Sequence, residues 1–338
     1  MNEFLSDYGL FLAKTVTLLG AATAAIVIIA ASKRRDDDEG VLEIKKLNER
    51  YDNYAALLQT QTLNKKAQRV ARKTAKRQQH ERAREDARQR VFVLEFDGDL
   101  RASATENLAQ EITALSTIAT TADEVVVKLY SAGGLVHGYG LAAAQLQRLR
   151  DKGVQLTVAV DKVAASGGYM MACVANQIIA APFAIIGSIG VVAQLPNFHR
   201  FLQKHDIDFE LLTAGKYKRT LTVFGENTPA AREKFREELE ATHALFKQFV
   251  ATARPNLNME SVATGEYWHG SQALTLGLVD ALQTSDDYLL TKSAACDVYA
   301  VRYVVKQSLA ERMSLSVRQA VSRLHTAWQQ AVDQRSLP

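Results

Sequence analysis

Residues 154–182 read VQLTVAVDKVAASGGYMMACVANQIIAAP, and this stretch decides the class of fold. Two short apolar segments rich in β-branched residues, 154–160 and 177–182, flank a helical pattern at 165–176. Short apolar strands that alternate with helices are typical of parallel strands with helices packed outside the sheet. The stretch therefore predicts an α/β fold.

The same alternation extends in both directions along the chain. Upstream, it predicts strands at 91–96 and 124–130 and helices at 103–118 and 138–151. Downstream, the pattern predicts a helix at 196–205, a strand at 207–212, a long helix at 230–253 and an amphipathic helix at 309–332. We therefore expect a folded domain over 91–305 and a C-terminal amphipathic helix within 306–338.

Composition narrows the class of protein. The chain has 338 residues, of which 47% are hydrophobic and 23% charged, which suits one or two folded domains. Its two cysteines, Cys173 and Cys296, exclude a disulfide framework and a cysteine zinc ribbon, so we expect two unrelated buried thiols. A formal net charge of +4 is too small to indicate nucleic-acid binding by itself.

An apolar segment near the N-terminus predicts a membrane anchor. Residues 9–32 carry a single charge, Lys14, and are long enough for a helix that spans a bilayer. A cleaved signal peptide would need a basic start, but no Lys or Arg precedes Gly9. Basic residues follow the segment at once, at 33–35, and the positive-inside rule then places the bulk of the protein in the cytoplasm.

Residues 33–90 form a charged stalk in this interpretation. Apolar residues recur at a heptad spacing, which predicts a helix that pairs with something; they are Ile44, Leu47, Tyr51, Tyr54 and Leu58. The run KKAQRVARKTAKRQQHERARED (65–86) follows. It suits a solvated spacer or contact with anionic lipid headgroups. Nucleic-acid binding is less favoured because no aromatic residues are interleaved.

Three glycine-rich segments follow predicted strands, at 131–140, 161–176 and 187–192. The glycine pair in SAGGLVHGYG (131–140) can expose backbone N–H groups that bind an anion or a developing oxyanion. Its spacing does not fit the dinucleotide fingerprint G-x-G-x-x-G. The third segment, GSIGVV, is uninformative by itself.

Ser166 lies between a predicted strand and an apolar helix, with two glycines beside it. A serine at such a turn can be a nucleophile, and it can equally be a plain helix N-cap. The hydrolase elbow G-x-S-x-G is absent, because Ala164 occupies its first position. The spacing alone leaves both interpretations open.

A general base for Ser166 is not identified by spacing. Of the seven histidines, only His137 and His199 lie near glycine-rich or strand-end positions, and no paired metal-ligand spacing exists, so we expect no metal catalysis. A lysine can replace histidine where desolvation favours its neutral form. Three lysines lie at the ends of predicted elements, and the pattern does not choose among Lys162, Lys216 and Lys218.

Five segments in one order resemble a known family. SAGGLVHGYGLA, AASGGYMMA, GSIGV, AGKYKRT and GEYWHGSQALTLGLVD are similar to the motifs of the signal peptide peptidase A family of membrane-bound serine proteases. The anchor and basic stalk resemble its inner-membrane branch with a single anchor. The resemblance implies a ClpP/crotonase-like fold, no cofactor, peptide substrates bound as extended strands, and ring or dome homo-oligomers.

The resemblance also implies roles for individual residues. Ser166 in ASGGY matches the family's nucleophile, and Lys218 in GKYK matches its general base. Ser188 in GSIGV matches the serine that orients this lysine.

The family's S-P-G-G segment corresponds to residues 131–134, with Ala132 in place of the proline. Proline stiffens the backbone there and donates no hydrogen bond, so the replacement removes no donor. The resemblance therefore assigns the oxyanion hole to Gly133 and Gly134, together with Gly167.

The leading hypothesis is a membrane-anchored serine endopeptidase that cleaves peptides or misfolded envelope proteins. A catalytically inactive membrane-anchored scaffold is the second, and a crotonase-type acyl-CoA enzyme, which would need neither Lys218 nor an anchor, is the third. The membrane face stays open, because the family works on the periplasmic side whereas the basic residues favour the cytoplasm.

Overall fold

The structure is a computed structural model that describes residues 11, 14, 15, 17, 40–84 and 88–305. The predicted C-terminal helix, and the predicted anchor apart from those first four positions, lie outside the described residues. No helix in the described part of the chain is both long and apolar enough to cross a bilayer. A compact unit covers Glu43–Arg302. In a second unit, the Gly40 amide donates to the Tyr303 hydroxyl at 2.8 Å.

Across the described residues, ten strands form one sheet. They are β1 (Val41–Lys46), β2 (Arg90–Gly98), β3 (Glu124–Ser131), β4 (Gln155–Val160), β5 (Val163–Ala165), β6 (Gln177–Ala180), β7 (Ile185–Gly187), β8 (Tyr267–His269), β9 (Ala281–Leu282) and β10 (Asp297–Val304). The main order is β1-β10-β2-β3-β4-β6-β9, parallel from β10 to β9. A branch adds β5 to β3 and β7 to β5, both parallel, and β8 antiparallel to β7.

The helices alternate with these strands. They are α1 (Leu47–Thr62), α2 (Lys65–Arg84), α3 (Thr105–Ile118), α4 (Val136–Asp151), α5 (Gly167–Ala172), α6 (His199–Lys204), α7 (Pro229–Ala253), α8 (Met259–Val262), α9 (Gly270–Thr275) and α10 (Ser285–Ala295). A mainly parallel sheet with helices between its strands confirms the predicted α/β class.

Both faces of the sheet are covered by helices. Val91 of β2 lies in a buried cluster with Leu47 of α1 and Leu289 of α10. Phe96 of β2 is an odd number of residues from Val91 and therefore faces the other side. There its ring meets Tyr139 of α4 edge-on, with 6.4 Å between centroids. Burial on both faces explains why the strands read as continuous apolar runs.

A buried carboxylate ties α10 to the sheet. Glu124 at the start of β3 accepts hydrogen bonds from Thr157 of β4 at 2.7 Å and Tyr288 of α10 at 2.5 Å. Its second oxygen accepts from the Lys292 ammonium at 2.6 Å. Because the carboxylate is almost fully buried, removing one of these donors leaves an expensive unpaired group.

Two predicted elements are wrong. The alternation at 207–212 predicts a strand, but this segment has no strand structure and its side chains, such as Leu212, are exposed. The heptad spacing predicts a helix that includes Ile44, but 41–46 is strand β1 and the helix begins at Leu47. The described stalk therefore contributes a strand to the sheet before it becomes helical.

Candidate active site

Three neighbouring parallel strands bring the glycine-rich segments to one edge of the sheet. Ser131 of β3 pairs with Ala164 of β5, and Ala164 pairs with Ile186 of β7. Because the strands are parallel, the segments that follow them leave at the same edge. Sites in α/β sheets form outside the carboxyl ends of strands. The order of the strands thus joins three segments that are far apart in sequence.

Ser166 occupies a strained turn between β5 and α5. Its backbone has φ 52° and ψ −119°, which a residue with a side chain rarely adopts. The turn is held by the Ser166 amide, which donates to the Gly187 carbonyl at 2.8 Å. Ser166 stands at the N-cap position, but its side chain accepts no hydrogen bond from the helix. The plain N-cap interpretation therefore does not account for this serine.

The loop after β3 lies directly against Ser166. Gly133 has φ 88°, and a Cβ placed there would come within 2.7 Å of the Ser166 Cβ and 2.8 Å of the Gly167 nitrogen. A Cβ on Gly134 would lie 2.1 Å from the Leu100 carbonyl oxygen. Both contacts are shorter than a side chain tolerates. The two glycines are therefore required for the loop to approach the serine.

Two of the three predicted oxyanion donors are available to a ligand. The Gly133 amide donates to the Ser131 hydroxyl at 3.0 Å, so it already has an acceptor. The amides of Gly134 and Gly167 donate to no acceptor within the described residues. Two of the three amides are thus open, and Gly133 is the residue through which the loop approaches Ser166 and Gly167.

A chain of buried hydrogen bonds through two hydroxyl groups fixes this loop. The sequence pattern does not predict it. The Tyr139 hydroxyl donates to the Asp99 carbonyl at 2.7 Å and lies 2.5 Å from the Ser131 Oγ. Since the tyrosine proton is directed to Asp99, Ser131 donates to tyrosine and accepts from Gly133. Burial raises the pKa of Tyr139, which keeps it protonated as the donor. The only signal in the sequence is that Ser131 opens the motif and Tyr139 follows eight residues later.

Ser188 follows β7 in a second strained turn. Its φ is 50°, and its amide donates to the Glu266 carbonyl at 2.7 Å. Gly187 before it has φ 100°, and a Cβ there would lie 2.9 Å from the Trp268 ring of β8. The backbone of Ser188 is thus fixed beside the Ser166 turn, while its hydroxyl has no hydrogen-bond partner in the described ranges.

The structure does not bring Lys218 into contact with either serine. Lys218 is exposed, in a turn where its amide donates to the Gly215 carbonyl at 3.1 Å. Its ammonium forms no hydrogen bond or ion pair with any residue that the structure describes. The other two candidate lysines lie over aromatic rings, Lys216 at 5.1 Å from the Tyr217 centroid and Lys162 at 5.6 Å from the Tyr130 centroid. Lys218 is the candidate whose ammonium is unengaged.

The two thiols lie away from this chemistry. Cys173 and Cys296 are both free and buried, as the sequence predicts. Burial raises the pKa of Cys173 to about 12, so its reactive thiolate is scarce at neutral pH. Neither thiol is among the site residues that the sequence predicts.

Sequence comparisons relate the chain to peptidases. Residues 3–146 match the family profile described as "Peptidase family S49 N-terminal", and residues 148–298 match "Peptidase family S49". A Haemophilus influenzae protein named "Probable protease SohB" is 46% identical over 340 residues, which cover 96% of each chain. Its namesake from Buchnera aphidicola subsp. Acyrthosiphon pisum is 53% identical over 235 residues, which cover 70% of each chain.

A solved complex of the 1510-N membrane-bound stomatin-specific protease with a substrate peptide is 14% identical, with a TM-score of 0.41. It covers 69% of this chain and 99% of that chain.

Proposed function

The chain belongs to peptidase family S49, and on that premise we propose that it is a serine endopeptidase with a Ser166–Lys218 dyad. The observation that carries the proposal is Ser166 itself. Its hydroxyl is uncommitted in a strained turn, and the open amide of its neighbour Gly167 adjoins the glycine loop. Strain of this kind is characteristic of functional sites.

The chemistry proceeds by acyl transfer. The Ser166 Oγ attacks the carbonyl carbon of the scissile peptide and gives its proton to the neutral amine of Lys218, which passes it to the leaving amine. The amides of Gly134 and Gly167 hold the oxyanion of the tetrahedral intermediate, an effect of about 3 kcal/mol per donor in comparable sites. Water then hydrolyses the acyl-enzyme, and Lys218 again acts as base.

Lys218 must approach Ser166 for this mechanism to operate. A general base acts within about 2.6–3.2 Å of the proton it removes. The segment between β7 and α7, which carries Lys218, pairs with no strand among the described residues. The proposal therefore requires the turn around Lys218 to move toward Ser166, a movement that would break no strand pairing. In the proposal, the Ser188 hydroxyl then accepts a hydrogen bond from the lysine and orients it.

The wider organisation is also part of the proposal. The resemblance supports a ClpP/crotonase-like fold, homo-oligomers and attachment to the bacterial inner membrane through residues 9–32. Peptides or misfolded envelope proteins are the proposed substrates, bound as extended strands. Membership of a peptidase family argues against the acyl-CoA alternative.

A serine-reactive fluorophosphonate probe tests the nucleophile and separates an enzyme from an inactive scaffold. The full-length protein should be labelled, and Ser166→Ala should lose both labelling and peptide cleavage by several orders of magnitude. Ser261→Ala is the matched control, because Ser261 is an exposed serine on α8 that bonds only its own turn. Equal labelling of wild type and Ser166→Ala would reject Ser166 as the nucleophile. Absence of labelling and cleavage in the wild type would favour the scaffold.

A further inference from the structure

Helix α2 carries a dense positive charge that the proposed peptidase chemistry does not use. Its 20 residues include nine Lys or Arg and a single acidic residue, Glu81. Helices of ordinary soluble domains mix the two signs of charge so that neighbouring turns attract one another. Like charges on neighbouring turns repel one another and destabilise the helix. An external anion bound to α2 would offset this repulsion.

The cations of α2 lie on one side of the helix. At about 100° per residue, the seven basic positions from Lys65 to Arg77 fall within an arc of about 140°. They are Lys65, Lys66, Arg69, Arg72, Lys73, Lys76 and Arg77. We call them the cationic stripe. The rest of the circumference over this span holds Ala, Gln, Thr and Val, so the charge is not spread around the helix.

The uncharged side of α2 is the side that is tied to α1. The Gln68 side-chain amide donates to the Thr60 carbonyl at 2.9 Å and to the Leu63 carbonyl at 2.8 Å. Gln68 and Ala71 are half-buried, whereas the basic side chains from 65 to 76 are exposed. None of those basic side chains forms an ion pair with another residue in the described part of the chain. The cationic stripe is therefore open to solvent from Lys65 to Lys76.

We propose that the cationic stripe binds the anionic phospholipid headgroups of a bilayer and holds α2 along the membrane surface. A broad arc of cations on a straight helix matches a flat anionic plane, and each basic residue near such a surface adds to binding. Thirty-two residues, 33–64, separate the predicted anchor at 9–32 from Lys65, so the same bilayer is within reach and at high effective concentration. Nucleic acid is the weaker partner, because residues 65–84 contain no Phe, Tyr or Trp for base stacking.

Hydrogen exchange of the full-length protein in lipid nanodiscs tests the proposal. One set of discs is phosphatidylcholine alone, and the other contains phosphatidylglycerol as well. Peptides covering residues 65–77 should exchange at least about threefold more slowly in the anionic discs, and added salt should remove the difference. Equal exchange in both discs, or protection that persists at high salt, would overturn the proposal.

Substitutions show whether the stripe itself is responsible. The triple variant K66Q/K73Q/K76Q should lose the difference between discs, whereas K66R/K73R/K76R should keep it. The matched control K152Q/K204Q/K247Q removes the same charge from other elements and should behave as wild type. If the glutamine substitutions change the exchange of α2 even in zwitterionic discs, they disturb the helix itself. The arginine variant and the salt titration then test the proposal in their place. Protection retained in a folded glutamine variant contradicts the proposal, as does protection by added RNA but not by anionic lipid.

Discussion

The hydroxyl of Tyr139 is one oxygen in a fully buried side chain, yet it connects α4 to the loop beside Ser166. It accepts from Ser131, whose oxygen in turn accepts from the Gly133 amide. The loop position, and with it the Gly134 amide, therefore depends on a residue that contacts no substrate. Tyr139 is a positioning residue in this description.

Tyr139→Phe should lower kcat with little change in KM. The ring keeps its packing against Phe96, but Ser131 loses its acceptor and the loop its fixed geometry. We expect a loss of about tenfold to a hundredfold in kcat, and about 1–3 kcal/mol in the free energy of unfolding. Peptide-cleavage kinetics and chemical denaturation measure the two effects. Tyr54→Phe, an exposed tyrosine on α1, is the control. An unchanged kcat in a destabilised Tyr139→Phe protein would reduce this hydroxyl to a structural role.

Lys218 and Lys216 give the sharpest test of the dyad, because they are two residues apart. Lys218→Ala should be as damaging as Ser166→Ala, and the double variant little worse, since members of a dyad act as a unit. Lys218→Arg should also fail, because a guanidinium does not lose its proton near neutral pH. Lys216→Ala should be mild, since that ammonium lies over the Tyr217 ring. Ser188→Ala should cost less than either dyad change.

Peptide cleavage by these variants, assayed side by side, shows which lysine is the general base. If Lys216→Ala is inactive and Lys218→Ala is active, the general base is Lys216 and not Lys218. Inactivation by His199→Ala with both lysines dispensable would end the serine–lysine mechanism itself.

Among the secondary-structure elements, length separates what the sequence predicts from what it does not. The strands at 91–96 and 124–130 and the helix at 230–253 are confirmed, because each has enough residues to show a period. β5, β7 and β8 have three residues each, which is too short for any period. These three segments are strands because each pairs with a neighbouring strand through backbone hydrogen bonds. The wrong strand at 207–212 shows the converse, a suitable pattern with no neighbour to pair with.

The candidate site also has parts that the sequence predicts and parts that it does not. The turn at Ser166 and the glycine loop are visible in sequence because only particular residues fit their backbone. The convergence of three loops depends on the order β3-β5-β7, which is set by pairing over long separations and leaves no local pattern. The place of Lys218 relative to Ser166 is carried by the resemblance, since no described contact joins them.

Two glycines test how closely the loop after β3 must pack. Gly134→Ala should destabilise the protein and lower activity, because the new Cβ would lie 2.1 Å from the backbone carbonyl of Leu100, which cannot easily move. Gly140→Ala is the matched control in the neighbouring helix α4, where nothing lies within 4 Å of the new Cβ. That change should stabilise the protein by about 0.5–1 kcal/mol. Denaturant unfolding of both variants measures the difference, and equal effects would contradict the close approach.

For the molecule as a whole, the proposed attachment to a membrane depends on a single predicted segment. Another apolar stretch, 177–195, contains β6 and β7, which pair within the sheet. That leaves residues 9–32 as the span that the sequence predicts.

Deleting residues 1–32 should therefore release the protein from membranes once salt removes electrostatic contacts. The experiment is carbonate and high-salt extraction of membranes, followed by sedimentation of the full-length and truncated chains. Truncation of 306–338 is the control and should leave the protein in the pellet, because the predicted helix there is amphipathic and carries charged residues throughout. At low salt the truncated chain should still bind anionic vesicles through the cationic stripe, which separates the two modes of attachment. A chain lacking 1–32 that resists extraction at high salt would show that a segment other than the N-terminal one spans the bilayer.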